Sequence, residues 1–544
     1  MTLDMFLGGG KYGNLTSYFS MDYLIFFLPI VLLLYSIIGD KYKKYFLIVA
    51  SYIFFWLISG KLVVYLATTT IFIHYFGIWL EKLSREEKDA LSSVEKEEKK
   101  AIRAAYQKQK QRVVLFAVAV HIGVLLVLKY SGFFTENINT LMEAIGSSRK
   151  FDIPSYALPI GISFYTMQAV AYVVDVYRGT IKADHNLGRL ALFMCFFPQI
   201  VEGPICRYEQ TANQLWNVTK IEHDNLVRGL QRILYGMMKK IVIADRLNPL
   251  ITQVFTHYVQ YDGGVVAIAA IAYTIQLYME FSGTMDAVIG TAQIFGVTLP
   301  ENFANPFFAR TIPGFWNRWH ITLGAWFKDY VYYPVTLSKP VKKMVSTLKK
   351  KVGSYFALLA ASVIALFCVW LGNGLWHGAA WNYIFFGMYH FALIILGNAT
   401  EPLVKKIRKA LHLNMEHFLV QGFQIVRTAI LVVIGELFFR GHGLNSGLIM
   451  FKLLVTRFSV EAFRMENIEK LGIDRQDVAI VGVSLIIVLI ISILKERGVQ
   501  IRETLARQNV VVRWTLIYGL ILYIIIFGAY GLGYIPVAPI YANF

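Results

Sequence analysis

Long apolar runs alternate along the chain with short stretches dense in charge. The runs at 23–38, 62–80, 113–128, 354–371, 379–397, 422–440, 476–494 and 513–531 each approach the ~20 residues an α-helix needs to cross ~30 Å of hydrocarbon. The pattern predicts an all-α, polytopic helical membrane protein, a single membrane-embedded domain over 1–544 with no linker-like break. Composition agrees: 56% of residues are hydrophobic, 16% are charged and the mean hydropathy is +0.51, which excludes an ordinary water-soluble domain.

The polar stretches orient the helices. Basic clusters fall at 40–44, 338–351, 404–412 and 495–513, and the stretch 81–112 is a long mixed-charge segment that reads as a cytoplasmic helix. Positive loops stay on the cytoplasmic side, so 1–22, 131–157 and 441–475 are expected outside, the last as an extracytoplasmic loop. Both termini then face outward. Residues 1–20 lack a positive region before an apolar core, so no cleaved signal peptide is expected and the first membrane helix serves for insertion. The net charge of +18 is explained by these loops; membrane lipids are the expected partner, and nucleic acid is not.

Two segments do not read as simple spans. The stretch 188–206 is apolar but broken by Pro198, Gly203 and Pro204, which suggests a re-entrant element whose backbone needs protein or water around it. The stretch 229–246, GLQRILYGMMKKIVIADR, mixes apolar and basic residues and predicts an amphipathic or interfacial helix. Cys195, Cys206 and Cys368 have no spacing that signals a disulfide framework or a metal site, and no metal is expected.

Candidate chemistry sits in three places. In 312–334, IPGFWNRWHITLGAWFKDYVYYP, a helix would line up Phe315, Trp319, Thr322, Trp326 and Tyr330 and stack Trp316 with His320. Gly324, one turn on, would leave room beside that imidazole. In 368–382, CVWLGNGLWHGAAWN, Gly372, Gly374 and Gly378 clear space around His377, Trp376 and Trp381 wall it, and Asn373 lies one turn earlier to orient the ring. Small residues also serve close helix packing, but packing gives no reason for an ionisable group at membrane depth. Third, Gln276, Glu280, Ser282 and Asp286 lie in an apolar stretch at 273–290. The two carboxylates call for basic partners such as Arg318 or Lys328, and Gln276 could line a polar path. His121 and His390 lack such surroundings and read as structural.

The blocks LPIGISFYTMQ, FFPQIVEGPICRYEQ, YTIQLYMEFSG, LPENFANPF, FWNRWHITLGAWFKDYVYYPV and GLWHGAAWNYIFFGMYH occur in this order within 158–397. Together they resemble the bacterial branch of the membrane-bound O-acyltransferases, whose members modify cell-surface polysaccharides and teichoic acids. The resemblance implies a ring of about ten or more transmembrane helices around a thin centre, with re-entrant elements and a tunnel. It places the catalytic histidine at His377 and a second histidine at His320. A thioester donor would arrive from the cytosol and a hydroxyl acceptor from outside. Neutral imidazole, with an unperturbed pKa of about 6.5, suits general base work near neutral pH; indole N–H groups of Trp316 or Trp376 would assist at the oxyanion. No cofactor is expected to be bound permanently. Acetyl-CoA is the expected donor, with D-alanine on an acyl-carrier protein thioester as the alternative. The expected acceptor is an extracytoplasmic polysaccharide or an SGNH-hydrolase-like partner acetyltransferase. A transporter of acyl groups or lipid-linked sugars, using the histidines as gates, is the competing class.

Overall fold

The apolar runs fold as helices whose outer faces stay apolar. In the computed structural model, which describes residues 17–530, eight helices are long and apolar enough to cross a membrane: Asp40–Ser92 (bent at 60–62), Lys99–Ala144, Gly263–Ile294, Lys339–His377, Trp381–Ala410, Phe418–Arg440, Arg475–Glu496 and Val510–Phe527. Asp22–Ile37 and Leu444–Thr456 are shorter apolar helices. Leu358, Phe367, Leu396, Val426, Ile486, Leu489, Leu522 and Ile525 are exposed on these helices, where lipid tails rather than water are the natural solvent. No strand forms among the described residues beyond one isolated bridge, Phe303 with Trp319. The all-α, polytopic expectation therefore holds. The span at 263–294, with its buried polar groups, joins the apolar runs evident in the sequence.

The chain divides into two compact units. The first comprises, among the described residues, 17–230 with 288–300. Within it the charged stretch 81–112 falls on two long helices, ending Val63–Ser92 and beginning Lys99–Ala144. Residues 93–98 break the helix, and Glu87 accepts from Lys110 Nζ at 2.6 Å across the turn. The element at 188–206 is a helix, Leu187–Cys195, followed by a buried non-helical run to Cys206. The helix stops because Pro198 cannot donate to the ladder. Protein groups satisfy the backbone around this break: Phe197 N donates to Ser51 Oγ at 3.1 Å, and Gln199 Nε2 donates to the helix-end carbonyl of Phe193 at 3.0 Å. Beside it Arg189 grips buried Asp184 through Nε and Nη2, both at 2.7 Å, and Tyr208 donates to the same carboxylate. Burial works to raise that carboxyl's pKa, but the hydrogen bonds from Arg189 and Tyr208 outweigh it and hold it below the usual carboxylate range.

The second unit comprises 231–287 with 301–530. Here the expected amphipathic or interfacial helix at 229–246 is corrected in its second half. Lys239, Lys240, Val242, Ile243 and Ala244 are all buried. The lysines tolerate burial because carboxylates distant in sequence, or five residues on in the same helical run, neutralise them. Lys239 meets Asp286 at 2.5 Å, while Lys240 meets Asp245 at 2.8 Å and Glu280 at 3.7 Å. Arg232 binds Asp286 at 2.9 Å and forks onto Glu301. These cations replace Arg318 and Lys328 as the partners of Glu280 and Asp286; Arg318 binds Glu496 at 2.7 Å instead. The stretch 441–475 holds helix Leu444–Thr456 and two short turns of helix, Val460–Phe463 and Met465–Glu469. The basic segment 338–351 is itself helical and parts from the span at Gly353, whose φ of 83° breaks the helix.

Candidate active site

His377 is the last residue of its spanning helix, and after Gly378–Ala380 the chain turns back into Trp381–Ala410. The glycines are not empty space. A Cβ on Gly374 would stand 2.6 Å from Tyr383 O, and one on Gly378 would stand 2.4 Å from the Tyr383 ring. They let the two helices and the Tyr383 ring close on the turn that carries His377. The imidazole is buried among aromatic rings, with centroids at 4.9 Å from Trp376, 5.0 Å from Phe439 and 6.1 Å from Phe386. Trp381, expected as a second wall, is 54% exposed. No donor among the described residues reaches the Asn373 side-chain oxygen, so Asn373 does not hold the His377 ring through it.

His320 is reached differently. The single helix expected over 312–334 is broken: Ile312–Trp316 ends, His320 takes φ 46°, ψ 53°, and a new helix runs Ile321–Phe327. A non-glycine residue in this left-handed region costs roughly 1–2 kcal/mol. The compensation comes from Asn302, on a segment bridged to this one. Its backbone carbonyl accepts from Ile321 N at 3.0 Å, and its Oδ1 accepts from Thr322 N at 3.1 Å and Thr322 Oγ1 at 2.9 Å. The same Oδ1 lies 3.1 Å from His320 Nδ1. An amide oxygen only accepts, so Nδ1 carries the proton, and in the neutral ring Nε2 is the basic nitrogen. Neutral His320 is thereby set up to accept a hydrogen bond or a proton at Nε2, not to donate to an oxyanion.

Trp376 joins the two histidines. Its ring centroid lies 5.5 Å from that of His320 and 4.9 Å from that of His377, and Phe281 closes on His320 at 4.9 Å. Trp316 belongs elsewhere: its Nε1–H donates to His390 Nδ1 at 3.3 Å, within a cluster of Trp370, Phe386 and Tyr389. His390 is thus held at Nδ1 by an indole, and His121 Nδ1 meets Ala117 O at 2.7 Å. Of the two indoles proposed for oxyanion binding, Trp376 is the one in contact with both imidazoles. Gly324 is exposed, and a Cβ there would meet nothing closer than Trp316 O at 3.8 Å, so it makes no room for His320. Gln276 ties two segments together, donating to Ala244 O at 3.0 Å and Asn248 Oδ1 at 3.3 Å.

Two residues escaped the sequence reading. Asn302 lies in the LPENFANPF block but was assigned no role. Glu436 is a buried carboxyl inside an apolar run, a signal in its own right. No group of three or more His, Cys, Asp or Glu among the described residues could hold a metal ion.

Residues 181–427 match the model of the MBOAT, membrane-bound O-acyltransferase family. The probable alginate O-acetylase AlgI of Pseudomonas aeruginosa is 30% identical over 450 residues, covering 82% of this chain and 76% of that protein. The peptidoglycan O-acetyltransferase of Helicobacter pylori is 27% identical over 63% of this chain and 64% of its own length. The teichoic acid D-alanyltransferase of Bacillus subtilis is 32% identical over 46% of this chain and 61% of its own.

Proposed function

The chain belongs to the membrane-bound O-acyltransferase family, and from that premise we propose that it moves an acetyl group from a cytosolic thioester to a hydroxyl of an extracytoplasmic polysaccharide. It is a multi-pass membrane protein and an acyltransferase. The donor is acetyl-CoA, a substrate rather than a resident group. The acceptor hydroxyl belongs to the polysaccharide itself or to an SGNH-hydrolase-like partner that completes the transfer. The cell membrane is the site of action, with both termini outside; the termini lie beyond the described residues.

The observation that carries this reading is the Trp376 indole in contact with both His320 and His377. His377 takes the proton of the acceptor hydroxyl as its oxygen attacks the thioester carbonyl. The tetrahedral oxyanion is met by an N–H donor, for which Trp376 Nε1 is the candidate. When the C–S bond breaks, His377 returns the proton to the departing thiolate, leaving an ester and a free thiol. His320 Nε2 orients the reacting groups by accepting a hydrogen bond. The aromatic walls keep bulk water from competing for the acyl group.

The charge pattern supports the direction of transfer. The basic segments 338–351 and 404–412 lie at the far ends of the helix pair that meets at His377, so the positive-inside rule puts the His377 turn toward the outer side. Purified protein in lipid nanodiscs, given labelled acetyl-CoA or D-alanyl carrier protein with glycan acceptors, tests the reading. Acetyl ester on glycan supports it. D-alanyl ester alone would move the protein to the other donor, and movement of label without thioester turnover would make it a transporter.

A further inference from the structure

Helix Phe418–Arg440 buries a carboxyl that the chemistry above leaves unused. Glu436 is 2% exposed, and no donor among the described residues reaches its Oε2. Arg440, one turn on, lays its guanidinium over the Phe255 ring at 5.4 Å rather than pairing with it. Lys240 is bound to Asp245 and Glu280. A buried carboxyl without a donor is costly, and at membrane depth such a group marks a place where something else supplies the hydrogen bond.

Its neighbours place it beside His377. Phe439, three residues on and so on the same side of the helix, packs its ring 5.0 Å from each of His377, Tyr383 and Phe386. Tyr273 lies within electrostatic reach of both Glu436 and Tyr383. Asn382 approaches the same helix end, its Nδ2 donating to Phe439 O and Gly441 O, both at 3.2 Å. Two carbonyl partners fix the amide, so Oδ1 is its acceptor atom; among the described residues it too is buried without a donor, as is Asn373 Oδ1 one turn before His377.

Three acceptor oxygens that no donor among the described residues reaches, on three segments that meet at the His377 turn, are complementary to a ligand that brings several O–H groups. We propose that Glu436, with Asn382 and Asn373, forms the subsite that binds hydroxyl groups of the polyhydroxylated acceptor next to His377. This rests on the acyltransferase reading above and adds which side chains recognise the acceptor. Carboxyl and amide oxygens both accept from O–H groups, and a donor thioester, which has no hydroxyl at its reacting end, gains nothing from this set.

The test uses full-length protein in nanodiscs with acetyl-CoA and a panel of mannuronate oligosaccharides, peptidoglycan fragments and glycerol-phosphate oligomers. Variants are assayed with whichever acceptor the wild type acetylates. Glu436→Gln keeps the side-chain volume, and Asn373→Ala probes the same subsite from another helix. In each, the acceptor KM is expected to rise about tenfold, with the acetyl-CoA KM within about twofold of wild type. An unchanged acceptor KM in both variants, or equal changes in the two KM values, overturns the subsite and leaves the reaction class standing. A wild type that acetylates nothing in the panel and turns over no thioester overturns the reaction class and the subsite with it.

Discussion

The imidazoles of His320 and His377 meet the same indole: Trp376 stands edge-on to both, at 5.5 Å and 4.9 Å between centroids. Two substitutions separate its roles. Trp376→Ala removes both the wall and the N–H, and transfer is expected to fall by about a hundredfold, the loss typical of a missing oxyanion donor or misplaced reactants. Trp376→Phe keeps most of the wall. If its turnover matches that of the alanine variant, the N–H is the working part; near-normal turnover in Phe assigns the role to packing.

Asn302 holds His320 in its left-handed backbone and fixes its tautomer. Asn302→Ala leaves Thr322 N and His320 Nδ1 without their acceptor. The expected cost is about 1–3 kcal/mol of stability, read as a lower melting temperature, together with reduced turnover. A variant as stable and active as wild type would show that the amide does not position His320.

Gly378 faces the Tyr383 ring. Gly378→Ala would put a methyl group 2.4 Å from that ring, so Tyr383 or the His377 turn must shift. Turnover is expected to fall, and Tyr383→Ala in the same chain is expected to restore part of it. If the double variant is no better than the single one, the clash lies elsewhere.

In the first unit, Asp184 is held below its ordinary pKa by Arg189 and Tyr208 against the effect of burial. A carboxyl with a depressed folded-state pKa stabilises above its unfolded value of about 3.9, and the contribution is lost as pH falls through the folded value. Arg189 is partly exposed, so Arg189→Ala is expected to cost on the order of 2 kcal/mol at pH 7. The gap from wild type should narrow below about pH 4. A pH-independent gap, measured by thermal unfolding in detergent, would contradict the assignment.

The spans and the turn at His377 were legible because apolar length and charge placement act locally. The break at His320 was not. Periodicity carries one helix through 312–334, and only a segment outside that window, with Asn302, supplies the partners that stop it. Lys239 and Lys240 looked interfacial because Asp286 and Glu280, which neutralise them, lie some forty residues on. Gly374 and Gly378 looked like cleared space around His377, whereas Tyr383, brought in by the hairpin, fills the space they leave. Glu436 was hidden within a run read only for its length.

The most direct measurement is acetyl transfer by the purified full-length chain and its His377→Ala variant, with labelled acetyl-CoA and glycan. Loss of a positioned general base costs about 10²–10⁴-fold. The expected result is a variant that elutes and melts like wild type yet transfers at least about a hundredfold more slowly. A folded His377→Ala protein that still acetylates glycan at close to the wild-type rate would contradict the assignment of His377 as the base.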